Sequence, residues 1–394
     1  MLRSIINCKT NKDYHFELFT SIQELGIEVW NTLNTKNNIY LSYAYLQALE
    51  KGMQNKMQFC YLTFFNAKNE AVGIAVFQVV HFQTNDLLQE RVPCGIADKI
   101  QLYFFKDKNM CLLVLGNLFA CGENGFVHNN KISNNEFFDV LIEAIAILQN
   151  SKINDDKISF SLIKDIWMDS KQQIKRLQKA SFIDFNADAN MILKMRPEWL
   201  SLDLYLADMK TKYRTRAKGV FKKSEEIQTK NLTSDQIEMQ LEFINRLYKQ
   251  VIDKAEYNLG SLEAKTFLFL KQQLGDAFLF TGYFLKDKMI GFTSCFLYLD
   301  ILDANFVGID YEYNNSYKLY QRMLYDFVSF AILYKKRELR LGRTAETSKS
   351  VVGAIPVQMK LFAKHRNLLP SKLLQPLLSS IVPKQFEYRK PFKN

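Results

Sequence analysis

The sequence predicts an α/β protein made of two similar halves, each with a mixed, mostly antiparallel sheet and flanking helices. Three observations lead to this prediction. The chain has 394 residues, which is more than one ordinary domain contains. Hydrophobic residues make up 48% and charged residues 24%, a balance that allows large cores and excludes global disorder. The same order of elements, three strands followed by a helix and a returning strand, occurs twice.

The first half shows this order between residues 59 and 163. Two β-rich segments flank a polar turn and therefore predict a hairpin. A short apolar strand follows, then a segment with one apolar helical face, and then an alternating strand. In order, the predicted elements are strand 59–65, turn 66–70, strand 71–82, strand 112–116, helix 136–149 and strand 157–163.

The second half repeats the pattern. Its predicted elements are strand 278–285, turn 286–288, strand 289–299, strand 304–309, helix 318–335 and strand 338–341. Gly73 and Gly291 each lie three residues after their hairpin turn. We interpret the repeat as a duplicated domain with a boundary near residue 197, which gives domains of residues 1–196 and 197–394. The alternative is that any two α/β domains share short β-hairpins.

The net charge of +11 is concentrated in the second half. Residues 1–196 carry 21 Lys and Arg against 20 Asp and Glu, whereas residues 197–394 carry 31 against 21. An anionic partner is therefore expected to meet the second half. The alternative is a basic surface that serves solubility alone.

The most basic segment lies between residues 210 and 223, within a helix predicted at about 205–228. It contains no acidic residue, and its cations are Lys210, Lys212, Arg214, Arg216, Lys218, Lys222 and Lys223. On a helix, several of them form a stripe with i,i+4 spacing, which is unfavourable without an anionic neighbour. Phosphate fits this requirement, so Arg214, Arg216 and Lys218 are candidate phosphate ligands. The alternative is a solvated helix face paired with nearby glutamates.

The sequence does not contain the motifs of several other kinds of site. The six Cys have no CxxC spacing, and the four histidines, His15, His81, His128 and His365, are far apart, so neither a disulfide framework nor a metal site is expected. Nucleophile-elbow, P-loop, HExxH and GxGxxG motifs are absent. The longest apolar stretches, 110–121 and 289–299, fall short of the roughly 18 residues of a membrane span. With no export signal, the expected location is the cytoplasm.

Three segments resemble a known family. Residues 213–219 (YRTRAKG), 341–356 (LGRTAETSKSVVGAIP) and 40–46 (YLSYAYL) are similar to motifs of the FemAB-like branch of the Gcn5-related N-acyltransferase (GNAT) superfamily, including its peptidogalycan biosynthesis or recognition group. The resemblance implies two tandem GNAT-like domains and transfer of an acyl or aminoacyl group to an amine in the cleft between them. It also makes Tyr45, in the opening segment, a candidate substrate contact.

One segment departs from the superfamily pattern. Residues 310–318 stand where a Gly-rich pyrophosphate loop is usual, and they contain no Gly. A phosphate cradle needs closely approached backbone N–H groups, which Gly normally supplies. Coenzyme A is therefore not expected in the usual place. The candidate donors are an acyl-CoA, an acyl-carrier protein or an aminoacyl-tRNA, with no tightly bound cofactor.

Acyl transfer to an amine requires proton removal, oxyanion stabilisation and alignment of two substrates. The resemblance implies that Lys349 faces the donor's phosphate or the developing oxyanion; the alternative is a surface lysine. Glu346, three residues earlier, is a candidate general base, or it orients Lys349 as an ion pair. Asp310, at a strand end, is a candidate base or a turn cap, and Arg343 is a candidate anion ligand. We expect Lys349→Met to abolish transfer and to leave the melting temperature nearly unchanged.

The C-terminal segment 360–394 combines basic residues with apolar clusters. It predicts either peripheral binding to an anionic membrane on its inner face or a strap across the second domain. The leading prediction is an acyltransferase acting on a cell-envelope precursor, an amino lipid or a small metabolite. The rival is a non-catalytic, degenerate GNAT-like protein that binds RNA or anionic lipid through the basic stripe. No DNA partner is expected.

Overall fold

The computed structural model describes residues 4–83, 109–153, 156–186, 188–254, 260–367, 378 and 385–393. The chain divides into two compact units. Unit 1 comprises Met1–Ala187 and Met359–Pro383, and unit 2 comprises Asp188–Gln358 and Lys384–Asn394.

Unit 1 contains a long sheet and four described α-helices. Its strands are β1 Ser4–Asn7, β2 Tyr14–Phe19, β3 Gln58–Asn66, β4 Ala71–Gln83, β5 Asn109–Leu115, β6 Phe126–His128, β7 Lys152–Ile153, β8 Asp156–Lys157, β9 Phe160–Trp167, β10 Ile183–Asn186 and, from the far end of the chain, β18 Met359–His365. Its helices are α1 Ile27–Leu33, α2 Tyr43–Met53, α3 Asn134–Asn150 and α4 Lys171–Lys179.

The strand order of the unit 1 sheet is β1-β2-β3-β4-β5-β9-β18-β10, and β6 pairs with β4. Among the described strands of this sheet, the β5–β9 pair is parallel and the other pairs are antiparallel. Helix α3 starts with a capping box formed by Ser133 and Glu136 and packs its apolar face on the sheet. It lies in the connection between β5 and β9, because two parallel strands need a long crossover, which is usually a helix.

Among its described residues, unit 2 has a sheet of seven strands and more α-helices than unit 1. Its strands are β11 Asn190–Lys194, β12 Ile227–Asn231, β13 Phe278–Leu285, β14 Lys288–Tyr298, β15 Ile301–Ile309, β16 Glu338–Arg340 and β17 Ile355–Val357. Its described helices are α5 Leu202–Asp208, α6 Thr211–Lys223, α7 Ser234–Met239, α8 Leu241–Ile252, α9 Ala264–Leu274, α10 Tyr311–Tyr317, α11 Leu319–Leu333 and α12 Glu346–Val351. The strand order is β12-β13-β14-β15-β16-β11-β17. Of the strand pairs that the structure describes here, β15–β16 is parallel and the others are antiparallel.

The predicted repeat is present in both units. Strands β3, β4 and β5, helix α3 and strand β9 correspond in order to β13, β14, β15, α11 and β16. The glycines also correspond. A Cβ on Gly73 would lie 2.4 Å from the Phe137 ring of α3, and a Cβ on Gly291 would lie 2.6 Å from Met323 of α11. Each glycine therefore lets the crossing helix pack closely against the second hairpin strand.

The division between units differs from the predicted boundary at residue 197. The structure divides the chain at 187/188 and returns Met359–Pro383 to unit 1. The reason is strand pairing: β11 pairs with β16 and β17 in unit 2, whereas β18 pairs with β9 and β10 in unit 1. Such pairs join residues far apart in sequence, so a local pattern does not reveal them.

Two further predictions are refined by the structure. The basic helix predicted at about 205–228 is two helices, α5 and α6, separated at Met209 and Lys210, and residues 227–231 form β12. The segment 360–394 is not one tail, because its start is β18 and its described end lies on unit 2.

Residues 385–393 form a C-terminal strap on unit 2. The Phe392 ring lies 4.8 Å from the Trp199 ring, measured between centroids. Gly353, at φ +93°, makes room for it, because a Cβ there would lie 2.2 Å from the Phe392 ring. The strap backbone also donates a hydrogen bond to the Ser350 hydroxyl in α12 at 3.0 Å. The strap alternative therefore holds for these residues; residues 368–377 and 379–384 lie outside the described part of the chain.

Among the helices that the structure describes, none combines the length and the apolar character that crossing a bilayer requires.

Candidate functional site

The basic segment folds as α6, and only one of its faces is buried. Ala217 and Val220 pack into the core of unit 2, together with residues of α11. Arg216, Lys218 and Lys223 are exposed. The Arg214 guanidinium donates to the Ala207 carbonyl at 3.2 Å, at the end of α5. Of the predicted phosphate ligands, Arg214 is thus engaged by the protein itself, whereas Arg216 and Lys218 reach solvent.

A pocket of about 220 Å³ lies between α6 and the start of α11. We call it the α6–α11 pocket. It is lined by Arg216, Gly219, Val220, Lys223, Lys318 and Gln321. The four α6 residues have i, i+3, i+4 and i+7 spacing, which places them on one helix face. Three lining side chains are cations, and none of these six residues is acidic, so the pocket favours an anion.

The first residues of α11 add a second source of positive potential. Lys318 adopts the left-handed conformation, with φ +52°, ends α10 and becomes the N-cap of α11, without a side-chain cap. The N–H of Tyr320 donates to the Asn314 side chain at 3.0 Å. A 15-residue helix therefore begins at the pocket, and its N-terminus carries partial positive charge and N–H donors suited to phosphate.

The start of α11 shows how residues 310–318 form a turn before a helix without glycine. The sequence indicated no phosphate cradle there, because a tight turn before a helix usually uses Gly. The structure makes the turn with Lys318 in the left-handed region instead. A lysine at that position supplies both the turn and a charge, which a motif search based on Gly does not detect.

A buried ionic network holds α6 and α11 together beside the pocket. The Arg322 guanidinium donates to Asp326 at 2.9 Å and to the Ser224 carbonyl, just after α6, at 3.2 Å. The Tyr283 hydroxyl donates to the other Asp326 oxygen at 2.9 Å. Burial raises the pKa of Asp326, while Arg322 opposes that shift. Because every partner is hydrogen-bonded, the network fixes the two helices that line the pocket.

Tyr325 lies one turn further along α11 than Gln321. Its side chain is buried, and its hydroxyl makes no hydrogen bond within the described part of the chain. Burial raises the pKa of Tyr325 to about 12, and the charge of Arg216 acts in the opposite direction. A hydroxyl without a protein partner near a pocket cation is a hydrogen-bonding group that a bound ligand or water can use.

The predicted catalytic lysine lies in α12 and is buried. Lys349 is 5% exposed, and its ammonium donates to the Arg343 carbonyl. Gly342, Thr344 and Ala345, which precede α12, all have positive φ, so the loop is tightly turned. The expectation that Lys349→Met would leave the melting temperature nearly unchanged does not fit this burial, since the substitution removes the hydrogen bond that the buried lysine donates to the Arg343 carbonyl.

Glu346 is also buried, at the start of α12. Burial raises the pKa of Tyr320, in the first turn of α11, and the charges of Tyr311 and Glu346 raise it further. Glu346 therefore lies close enough to the start of α11 to act on it electrostatically. Arg343 donates from Nε to the Asp188 carbonyl at 3.0 Å. The loop before α12 and the N-terminus of α11 thus belong to one region of unit 2.

The contacts of Asp310 and Tyr45 indicate structural roles for both residues. Asp310 is the N-cap of α10, accepts from the Glu312 N–H at 3.3 Å, and lies 3.5 Å from the Lys288 ammonium. Asp310 thus has the capping role that the sequence offered as the alternative to a general base. Tyr45 is 2% exposed in unit 1, and its hydroxyl accepts from Asn117 at 2.8 Å. Core packing, rather than phosphate binding, is what the surroundings of Tyr45 support.

The two parallel strand pairs end differently. In unit 2 the β15–β16 register ends at Asp303 opposite Arg340, while β15 continues to Ile309. In unit 1 the β5–β9 register continues to the last residue of β5. A buried Lys164–Asp165 ion pair follows directly, with Lys164 donating to the Ala120 carbonyl and Asp165 accepting from the Gly122 N–H. A buried ion pair of unit 1 therefore follows the end of its parallel strand pair, whereas in unit 2 the parallel register stops where β16 ends, at Arg340.

The architecture thus consists of two repeated α/β units, each with one parallel pair among its described strands, bridged by a helix. No family model matches the sequence, and no curated protein matches it either. Solved structures do. A tandem GNAT protein from the clavulanic acid biosynthesis pathway aligns with a TM-score of 0.52 at 8% identity, over 90% of this chain and 99% of that chain. A crystal structure of FemX aligns with a TM-score of 0.50 at 10% identity, over 83% of this chain and 92% of that chain. The predicted fold, two tandem GNAT-like domains like those of the FemAB-like branch, is confirmed.

Several residues of the site were not singled out from the sequence. Gly219, Lys318, Gln321 and Tyr325 were missed, and Lys223 was noted only as part of the basic segment. For Lys223 and Gly219 the signal was available, since both share a helix face with Arg216. For Lys318 there was none, because a left-handed lysine has no sequence signature.

Proposed function

We propose that this protein is an acyl- or aminoacyl-transferase that acts on an amine, and that unit 2 holds the donor. The observation that carries the proposal is the α6–α11 pocket, which three cationic residues line beside the first residues of α11, in a unit with the GNAT fold. A phosphate or diphosphate of the donor is the group that these features suit.

The size of the pocket limits what it holds. Its volume of about 220 Å³ is below the ~300–1,000 Å³ typical of sites for whole small ligands. The pocket therefore suits the phosphate-bearing part of a larger donor, with the acyl part lying elsewhere on unit 2. Arg216 would bind two phosphate oxygens, Lys223 and Lys318 would act as point charges, and the α11 N–H groups would bind a further oxygen.

The loop before α12 supplies the remaining proposed roles. Lys349 would stabilise the oxyanion, directly or by fixing the Arg343 carbonyl and the loop that contains it. Glu346 would accept the amine proton or orient the groups near Tyr320. Both residues are buried, and burial strengthens electrostatic interactions with any charge that forms nearby.

The donor and the acceptor are proposed as classes. The donor would be an acyl-CoA, an acyl-carrier protein or an aminoacyl-tRNA, because each carries phosphate groups as well as a reactive carbonyl. The acceptor would be an amine of a cell-envelope precursor, an amino lipid or a small metabolite, met in the cytoplasm or at the inner face of the membrane. Mass spectrometry of small molecules that co-purify with the protein would separate these classes.

A transfer assay tests the proposal. The three donor classes would be incubated with a panel of amines, and acylated products would be detected by mass spectrometry. Arg216→Ala and Lys318→Ala each remove a charged hydrogen bond, so each should weaken donor binding by ~10–100-fold, from about 1.5–3 kcal/mol. Lys212→Ala is the matched control, because Lys212 is exposed on α6 and does not line the pocket. Equal losses in all three variants would contradict the assignment of the pocket.

The second candidate is a non-catalytic protein that binds RNA through α6. The observation in its favour is that Lys212, Lys218 and Lys222 are exposed outside the pocket. RNA binding of this kind would weaken steeply with salt and would lose similar affinity at each of these lysines. No product in the transfer assay, together with such a salt dependence, would favour this candidate.

A further inference from the structure

A cluster in unit 1 brings together three different metal-binding side chains. His81 on β4 lies directly opposite Cys111 on β5 in the antiparallel register. Asp156, on β8, completes the cluster, and one ligand atom from each residue lies within 4.8 Å of the others. We propose that unit 1 binds a divalent transition metal, with zinc as the best fit, through His81, Cys111 and Asp156.

The donor set selects the metal class. Imidazole nitrogen, thiolate sulfur and carboxylate oxygen are the three ligand types that zinc accepts, whereas Mg²⁺ and Ca²⁺ avoid sulfur. Three protein ligands leave a fourth tetrahedral position for water or another small ligand. This count is that of an open zinc site rather than a closed structural one.

The cluster must contract a little to hold the ion. With metal–ligand bonds of about 2.0–2.3 Å, tetrahedral ligand atoms lie roughly 3.5 Å apart. The His81 side chain is 54% exposed and that of Asp156 is 30% exposed, so both have room to move toward the buried Cys111. The exposed side of His81 also gives the ion a path from solvent.

The surroundings orient the ligands. The Gln58 amide donates to Oδ2 of Asp156 at 2.8 Å, which leaves Oδ1 facing His81. Nε2 of His81 lies 3.1 Å from that Oδ1. A metal would replace the proton shared between these two atoms, while Gln58 would keep the carboxylate in place. Hydrogen bonds of this kind commonly orient metal ligands.

The same three residue types also form Cys–His–Asp catalytic triads, but the geometry here does not fit one. A triad needs its carboxylate on one ring nitrogen and its nucleophile on the other. It also needs a thiolate that a substrate can reach. Cys111 is buried in the unit 1 core, where a substrate does not reach its thiol. Metal ligation is the chemistry that suits such a thiol, because the ion itself displaces the proton.

The site is independent of the proposed acyl transfer, since its three ligands belong to unit 1 and the α6–α11 pocket belongs to unit 2. Bound metal would link β4, β5 and β8. Stabilisation of unit 1 on metal binding is therefore expected whether or not the transferase proposal holds.

Cobalt titration of the chelator-treated, full-length protein tests the proposal. Co²⁺ bound through thiolate in a tetrahedral site gives a near-ultraviolet charge-transfer band and strong visible bands. We expect one equivalent of Co²⁺ to produce these bands and Zn²⁺ to remove them by displacement. Cys111→Ser should abolish the charge-transfer band, and Cys121→Ser, a half-buried cysteine outside the cluster, should leave it unchanged.

Two further variants keep the test decisive if Cys111→Ser, which changes a buried side chain, does not fold. His81→Ala changes a largely exposed side chain and should weaken cobalt affinity at least tenfold in a folded protein. Gln58→Ala should keep the band and weaken affinity by about tenfold, as loss of a ligand-orienting contact does. No cobalt binding by the unsubstituted protein, binding without a thiolate band, or a band that persists in Cys111→Ser would overturn the proposal.

Discussion

Gly219 offers the sharpest test of the α6–α11 pocket, because two substitutions there should affect stability alike and donor binding differently. It lies inside α6, and a Cβ added to it would meet no atom within 4 Å. Glycine in a helix interior is less favourable than alanine by about 0.8–1.0 kcal/mol. Gly219→Ala should therefore stabilise unit 2 by about 1 kcal/mol. For a unit of this size the expected rise in melting temperature is ~2–4 °C.

Gly219→Glu should keep most of that stabilisation, because glutamate is also a good helix former. Its carboxylate, however, would enter the pocket with Arg216, Lys223 and Lys318. A carboxylate about 4 Å from a bound phosphate repels it by ~1–4 kcal/mol, for an effective dielectric constant between 80 and 20. Donor binding should therefore weaken at least fivefold, and the loss should shrink at high salt.

The assay combines thermal unfolding with donor binding at two salt concentrations. Gly219→Ala serves as the matched control for Gly219→Glu, since both add a side chain at the same helical position. The reasoning fails if Gly219→Ala lowers the melting temperature, because the space beside Gly219 would then be filled. It also fails if Gly219→Glu binds the donor as tightly as the unsubstituted protein.

Three further predictions concern other parts of the chain. Lys349→Met should abolish transfer and should lower the unfolding free energy by about 1–3 kcal/mol, because it removes the charged hydrogen bond from the buried lysine to the Arg343 carbonyl. Chemical denaturation beside the transfer assay checks both, and full activity would remove Lys349 from the mechanism. Gly73→Ala should destabilise unit 1 by about 1–3 kcal/mol, because its Cβ would clash with the Phe137 ring; an unchanged denaturation midpoint would disprove the close packing of α3. Phe392→Ala should loosen the strap and make the C-terminus an early site of limited proteolysis, and a cleavage pattern identical to that of the unsubstituted protein would contradict the packing described.

Much of the secondary structure could be predicted because it depends on local patterns. The hairpin segments 59–65 and 71–82 match β3 and β4, and 278–285 and 289–299 match β13 and β14 closely. Alternation of apolar and polar residues and the turn chemistry between them are properties of neighbouring residues. The returning strand β18 was not recognised, because its partners β9 and β10 lie far away in sequence.

The candidate site was predictable only in part, for a similar reason. Arg216 belongs to a basic stripe that helical spacing makes visible. Lys318 became part of the pocket because it takes a left-handed conformation and starts α11. The metal-ligand cluster is a further case: His81 and Cys111 are neighbours only through strand register, so histidine spacing alone gave no indication of it.

The sequence by itself determined the α/β class, the duplicated order of elements, the concentration of positive charge in the second half and the resemblance to FemAB-like GNAT proteins. These features depend on composition and on the spacing of apolar residues, with a period of two in strands and 3.6 in helices. Short stretches of chain are enough to define both. Tertiary structure alone decided where the units divide, that Lys349 is buried, and which cations share a pocket. Those outcomes depend on contacts between segments that are distant along the chain, and the free energy of such contacts comes from packing and charge in three dimensions.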